Sequence, residues 1–98
     1  MLQDRFIELK PLYEIHGRTR VKRDECLTNL NKVSDVKTRS DLFKIFETVK
    51  LKFNLLDNEF IECRKRLKIT PKYYYYEQEF EEVINTFNQY LVLALLSQ

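Results

Sequence analysis

Leu42, Phe46, Val49, Phe53, Leu56, Phe60, Cys63 and Leu67 succeed one another at alternating steps of four and three residues, and none of the eight is polar. That alternation returns to the same side of an α-helix, so the residues form one apolar stripe. At the rise of a helix, the stripe from Leu42 to Leu67 is about 38 Å long. A second stripe follows, made of Tyr73, Tyr76, Phe80, Val83, Phe87, Tyr90 and Ala94. Only the residues from Lys68 to Lys72 lie between the two, which is too short for anything but an antiparallel hairpin. The pattern predicts an all-α chain: an antiparallel three-helix or coiled-coil-like bundle in a single domain spanning residues 1–98.

The third helix has clear start signals. Thr70 can cap, Pro71 suits the first helical position, and Glu77, Glu79, Glu81 and Glu82 favour the positive end of the helix dipole. The second helix is expected to open near Thr38 or Ser40, with Thr38-x-x-Asp41 as a capping box. Arg64, Lys65, Arg66 and Lys68 place cations at its negative end.

The first 37 residues are less regular. Leu2, Phe6, Leu9, Tyr13, His16, Arg20, Arg23, Leu27 and Leu30 keep the four–three step but are polar in the middle. A shifted register through Leu12, Ile15, Thr19, Lys22, Cys26 and Val33 is polar in the same place. Pro11 removes a backbone donor, and Gly17 is the only glycine in the chain. Either one long bent helix starts near Pro11, which is the favoured expectation, or two helices meet near Gly17 and the bundle has four.

At 98 residues the chain makes one small domain, and 44% apolar with 13% aromatic residues supply a core. A third of the residues are charged, which points to helices with much of their surface in water. The net charge of +2 gives no global attraction to nucleic acid or membrane, so local clusters must carry any such affinity. Cys26 and Cys63 form no metal-type pair and are expected to be reduced structural thiols. Asp4, Arg5, Glu8 and Lys10 interrupt any basic-then-apolar leader, and the longest apolar run, Leu91–Leu96, is far short of the about 20 residues that span a bilayer. A soluble cytoplasmic chain, at most peripheral to membranes, is expected.

Catalysis finds little support. A single glycine cannot build a phosphate-cradling loop or a nucleophile elbow. His16 has neither a nucleophile nor a ligand motif beside it and is expected to be solvated or partner-facing. Cys26, Cys63 and His16 lack zinc spacing, and no Glu-x-x-His pair suits a carboxylate-bridged metal site. The expectation is therefore no enzyme, no cofactor and no metal.

Two basic clusters are candidate binding sites. Arg64, Lys65, Arg66, Lys68 and Lys72 surround the turn between helices two and three. They could compensate the dipole or bind anionic groups, a lipid surface first. Arg18, Arg20, Lys22 and Arg23 are candidates for contact with a partner or a nucleic-acid backbone. Arg20 and Arg23 fall on the stripe, so they must reach water, a carboxylate such as Glu47, or a partner. Tyr73 to Tyr76 cannot share one helix face, so Tyr73 and Tyr76 are expected inside and Tyr74 and Tyr75 elsewhere. Helix three is apolar beyond one stripe, with Ile84, Leu91 and Leu95 flanking it and Leu93 and Leu96 pointing elsewhere. That excess suggests a second chain, with Leu91 and Leu95 as self-association residues.

Lys22-Arg23-Asp24-Glu25-Cys26-Leu27-Thr28-Asn29-Leu30, with Tyr13 about three turns before it, resembles the Lys-Arg-Asp stretch in the first long helix of sorting-nexin BAR domains. Tyr75-Tyr76-Glu77-Gln78 and the helix ending in Leu95-Leu96-Ser97-Gln98 are similar to their closing helix. The resemblance implies three antiparallel helices, dimerisation and a role at endosomal membranes in cargo sorting. The leading expectation is a non-catalytic interaction module with a protein partner, a second copy of the chain first, and a contact with an anionic membrane surface. The alternatives are a small nucleic-acid-binding regulator or an enzyme-blocking inhibitor, from a virus or mobile element.

Overall fold

The computed structural model describes residues 2–97, with side-chain environments from Glu8 onward. Three helices account for almost all of it: α1 over Leu2–Leu30, α2 over Val36–Arg66 and α3 over Pro71–Leu96. Along α1 and α2 the paired positions run in opposite directions. Tyr13 and His16 meet Phe60, while Arg23 meets Phe53. Arg18 and Lys22 meet Glu77 and Glu81, so α1 and α3 run parallel at a constant offset. The fold is an up–down–up bundle.

Each boundary has a local cause. Asp35 caps α2: its carboxylate accepts the Thr38 amide at 2.9 Å and the Thr38 hydroxyl at 2.6 Å. The cap thus lies upstream of the Thr38–Asp41 box expected from sequence, with Thr38 as donor to the cap. Thr70 caps α3 as expected, accepting the Tyr73 amide at 3.2 Å with Pro71 at the first position. The Thr70 hydroxyl itself donates to Glu59 at 2.8 Å, which satisfies a carboxylate that is nearly out of solvent. The end of α2 turns at Leu67, whose φ of 54° and ψ of 38° are left-handed, with the Lys68 amide donating to the Cys63 carbonyl at 3.1 Å.

Helix α1 starts at Leu2, well before Pro11, and passes unbroken through both Pro11 and Gly17. The bundle therefore has three helices and no break at Gly17. Its inward-facing positions are Leu9, Leu12, His16, Thr19, Arg23, Cys26 and Leu30, continued by Val33 in the connection. These too step by three and four, but they take members from both registers considered above. The expected seam positions Leu2 and Phe6 lie outside the residues whose side chains are described.

The core forms two adjoining clusters. One packs Cys26, Leu30 and Val33 against Leu42 to Phe53 of α2 and Phe80 to Ala94 of α3. The other, nearer the α2–α3 turn, joins Leu9 and Leu12 to Leu56, Phe60, Cys63 and Tyr73. Seven of the eight α2 stripe residues are buried, and Leu67 is outside the helix. On α3 the buried face runs Tyr73, Phe80, Ile84, Phe87, Leu91 and Ala94, which leaves Tyr90 exposed. At 3.6 residues per turn a strict four–three stripe drifts around a straight helix, so Ile84 and Leu91 replace Val83 and Tyr90 as the innermost groups.

Candidate functional site at the two ends of the bundle

The polar middle of α1 is occupied inside the bundle. The His16 ring lies flat on Phe60, with centroids 3.8 Å apart and planes at 9°, and its Nε2 is 2.8 Å from Asp57 Oδ1. His16 is thus a largely buried packing residue, where a solvated or partner-facing side chain was expected. Thr19 is fully buried and donates its hydroxyl to the His16 carbonyl at 2.9 Å. The Arg23 guanidinium sits 4.3 Å over the Phe53 ring and bonds Asp24, so its relief comes from an aromatic face and a neighbour, with no part for Glu47. Lys22 donates to both oxygens of Glu81 at 2.8 Å, and Arg18 approaches Glu77 at 3.7 Å. Of the four cations offered for partner or nucleic-acid contact, Arg18, Lys22 and Arg23 are engaged within the fold. Arg20 alone is exposed with no ion pair among the described residues. The cluster is not a continuous basic face.

The cysteines are free and buried. Burial, with Glu25 adding to it, pushes the Cys26 thiol up to about 11 and keeps it protonated and unreactive near neutral pH. Cys63 Sγ lies 3.5 Å from the Thr70 amide, inside the hairpin. Burial likewise raises the Tyr73 phenol, whose hydroxyl has no hydrogen-bond partner among the described residues. Tyr76 is half-buried, and Tyr74 and Tyr75 are exposed, as their helical positions require. Among the described residues, no group of three or more His, Cys, Asp or Glu side chains could hold a metal ion. Nor is any described helix long and apolar enough to cross a membrane.

Two surfaces remain, one at each end of the rod. At the α2–α3 turn, Arg64, Lys65, Arg66, Lys68 and Lys72 are all exposed. Arg64 leans toward the Tyr13 and Phe60 rings at 5.9 and 5.7 Å, Lys72 toward Tyr76 at 5.6 Å, and Lys65 is 3.6 Å from Glu62. The Arg66 and Lys68 side chains meet no carboxylate among the described residues. Between them stands Leu67, 39% exposed.

The opposite end is the last two turns of α3. Leu91 is buried within its own core and cannot serve self-association, whereas Leu95 stays at the surface. Tyr90, Val92, Leu93 and Leu96 are exposed beside it, Leu96 to 78%, and Val36 at the start of α2 is exposed too. A groove of about 550 Å³ opens here between α2 and α3, with Leu42, Ile45, Tyr90, Leu93 and Ala94 among its walls and Asp41 and Lys44 at its rim. Sequence reasoning missed Tyr90 and Val36 as surface groups and Leu67 as an exposed one. The available signals were the absence of glycine after the basic end of α2 and the absence of any charge from Val83 to Gln98.

No protein-family model matches the sequence, and neither a curated protein nor a solved structure matches it significantly.

Proposed function

We propose that the chain is a non-catalytic helical interaction module that pairs with a second copy of itself through the exposed end of α3. One observation carries this: Tyr90, Val92, Leu93, Leu95 and Leu96 are at the surface of a segment that holds no charged residue from position 83 onward. Large apolar side chains exposed together at one end of a helix mark a candidate site for a partner chain. Two copies related by a twofold axis present the same surface to each other, so the uncharged last turns of α3 meet no like-charge repulsion there. The charged residues that line the groove, Asp41 and Lys44, are opposite in sign, and a twofold lets the carboxylate of either copy meet the ammonium of the other. A specific interface takes about 800 Å² from each partner. The exposed side chains of α3 on the groove side, Val36 and the groove walls are the surface such a contact draws on. The resemblance of Lys22–Leu30 and Tyr75–Gln78 to sorting-nexin BAR helices is in keeping with a dimerising module that works in membrane trafficking.

Sedimentation equilibrium tests the pairing. The wild type is expected to be dimeric at micromolar concentration. Leu93→Glu combined with Leu96→Glu should give a monomer with unchanged helical circular dichroism, and Val21→Glu, on the exposed side of α1, should remain dimeric. A wild-type chain that stays monomeric throughout that range would sink the proposal.

A further inference from the structure

From Cys63 to Tyr76 the chain carries five cations and no carboxylate. The fold gathers them at one tip, on the last turn of α2, the α2–α3 turn and the first turn of α3. Of the acids described on α2 beside it, Glu59 accepts from Thr70 and Glu62 pairs with Lys65. In the turn stands Leu67, between Arg66 and Lys68, whose side chains meet no carboxylate among the described residues. Its φ of 54° is the left-handed conformation that glycine adopts freely and that a Cβ opposes. Burial does not repay that strain, because 39% of the residue is exposed. A leucine that is strained, exposed and ringed by cations is unfavourable for the folded monomer, and such costs gather where a surface has a binding role.

We propose that this tip docks on an anionic lipid bilayer, with Arg64, Lys65, Arg66, Lys68 and Lys72 on headgroup phosphates and Leu67 entering the boundary between headgroups and acyl chains. The chemistry favours a bilayer over a nucleic acid. Cations alone would suffice for a phosphodiester backbone, which gives an exposed leucine nothing to enter, whereas a bilayer interface takes both groups at once. Tyr74, exposed on the first turn of α3, adds an amphipathic ring of the kind that settles at headgroup depth. The surface lies at the opposite end from the self-association patch, so the two proposals stand or fall separately.

Flotation of the full chain with vesicles tests it. Binding is expected to vesicles of phosphatidylcholine with phosphatidylserine and to be lost on phosphatidylcholine alone. Arg66→Glu with Lys68→Glu should weaken it by at least about tenfold, since each cation near an anionic surface contributes severalfold. Leu67→Gly should also weaken binding while the melting temperature rises, which separates the docking role from folding. The chain has no tryptophan, so L67W gives a single indole whose emission, excited selectively over tyrosine, should shift to the blue with anionic vesicles. Absence of binding to the anionic vesicles, wild-type binding by Leu67→Gly, an unshifted L67W emission, or tighter binding to duplex DNA or RNA than to vesicles at physiological salt would each overturn it.

Discussion

Phe53 and Gly17 lie on facing helices and predict opposite outcomes for the same change. Phe53 is buried in the α2 stripe, edge-on to Phe80 at 6.0 Å, and offers its other face to the Arg23 guanidinium. Truncation removes both contacts and leaves a cavity beneath a cation, so Phe53→Ala should cost about 3–5 kcal/mol. Gly17 is mid-helix without a left-handed backbone, and a Cβ built there meets nothing within 4 Å. The folded state therefore accepts Ala without strain while the unfolded chain loses freedom, and Gly17→Ala should gain about 0.5–1 kcal/mol. Denaturant melts of both variants check the pair. A loss at Gly17, or a change below about 1 kcal/mol at Phe53, would mean the α1–α2 interface is placed wrongly.

Helices α2 and α3 were legible because every seam position that had to be apolar is apolar, and α1 was not because its seam is polar where it crosses the aromatics of α2. His16, Thr19 and Arg23 hold inward positions that a reading of apolar residues cannot find. They are tolerated because Phe60 and Phe53 present ring faces to a flat imidazole and a flat guanidinium, and Thr19 satisfies its own hydroxyl. The parallel placement of α1 on α3 is marked by Arg18–Glu77 and Lys22–Glu81, pairs 59 residues apart that no local pattern reveals. The start of α2 was misread for a simpler reason: Asp35 is an ordinary cap residue lying before a seam that begins only at Leu42. Its bonds from the Thr38 hydroxyl and amide hold the Asp35 carboxyl below the usual carboxylate range. A depressed pKa gives stability that is present above the ordinary value and is lost as pH falls through the depressed one. Glu79, lowered by the Tyr75 hydroxyl and Lys52, acts in the same direction. Asp35→Asn should therefore keep the cap and the neutral-pH melting temperature while flattening the acid limb of the stability curve, and Asp35→Ala should lower the melting temperature at neutral pH. Thermal melts from neutral to acidic pH decide this; an acid limb in Asp35→Asn as steep as that of the wild type would refute the capping charge.

The molecule is a rod of 56 × 18 × 15 Å with a Cα radius of gyration of 16.0 Å, against about 13 Å for a compact domain of this length. So slender a bundle has water along every helix, and a high charge content is the consequence. Its ends differ in chemistry: the α2–α3 turn is cationic, whereas at the other end the last turns of α3 are apolar and charges of both signs come only from the α1–α2 connection and the start of α2. That polarity gives the proposed dimer a definite shape. Pairing through residues 90–96 overlaps the two rods by only about 10 Å at 1.5 Å per residue, so the longest dimension of the dimer should be about 100 Å. Pairing along the side groove of Ile45, Thr48, Val83 and Thr86 would instead lay the rods beside each other and leave that dimension near the monomer's 56 Å. Small-angle scattering at a concentration where the chain is dimeric separates the two. A short, thick particle would place the partner on the flank of α2 and α3, and the exposed leucines at the end of α3 would then have no part in the pairing.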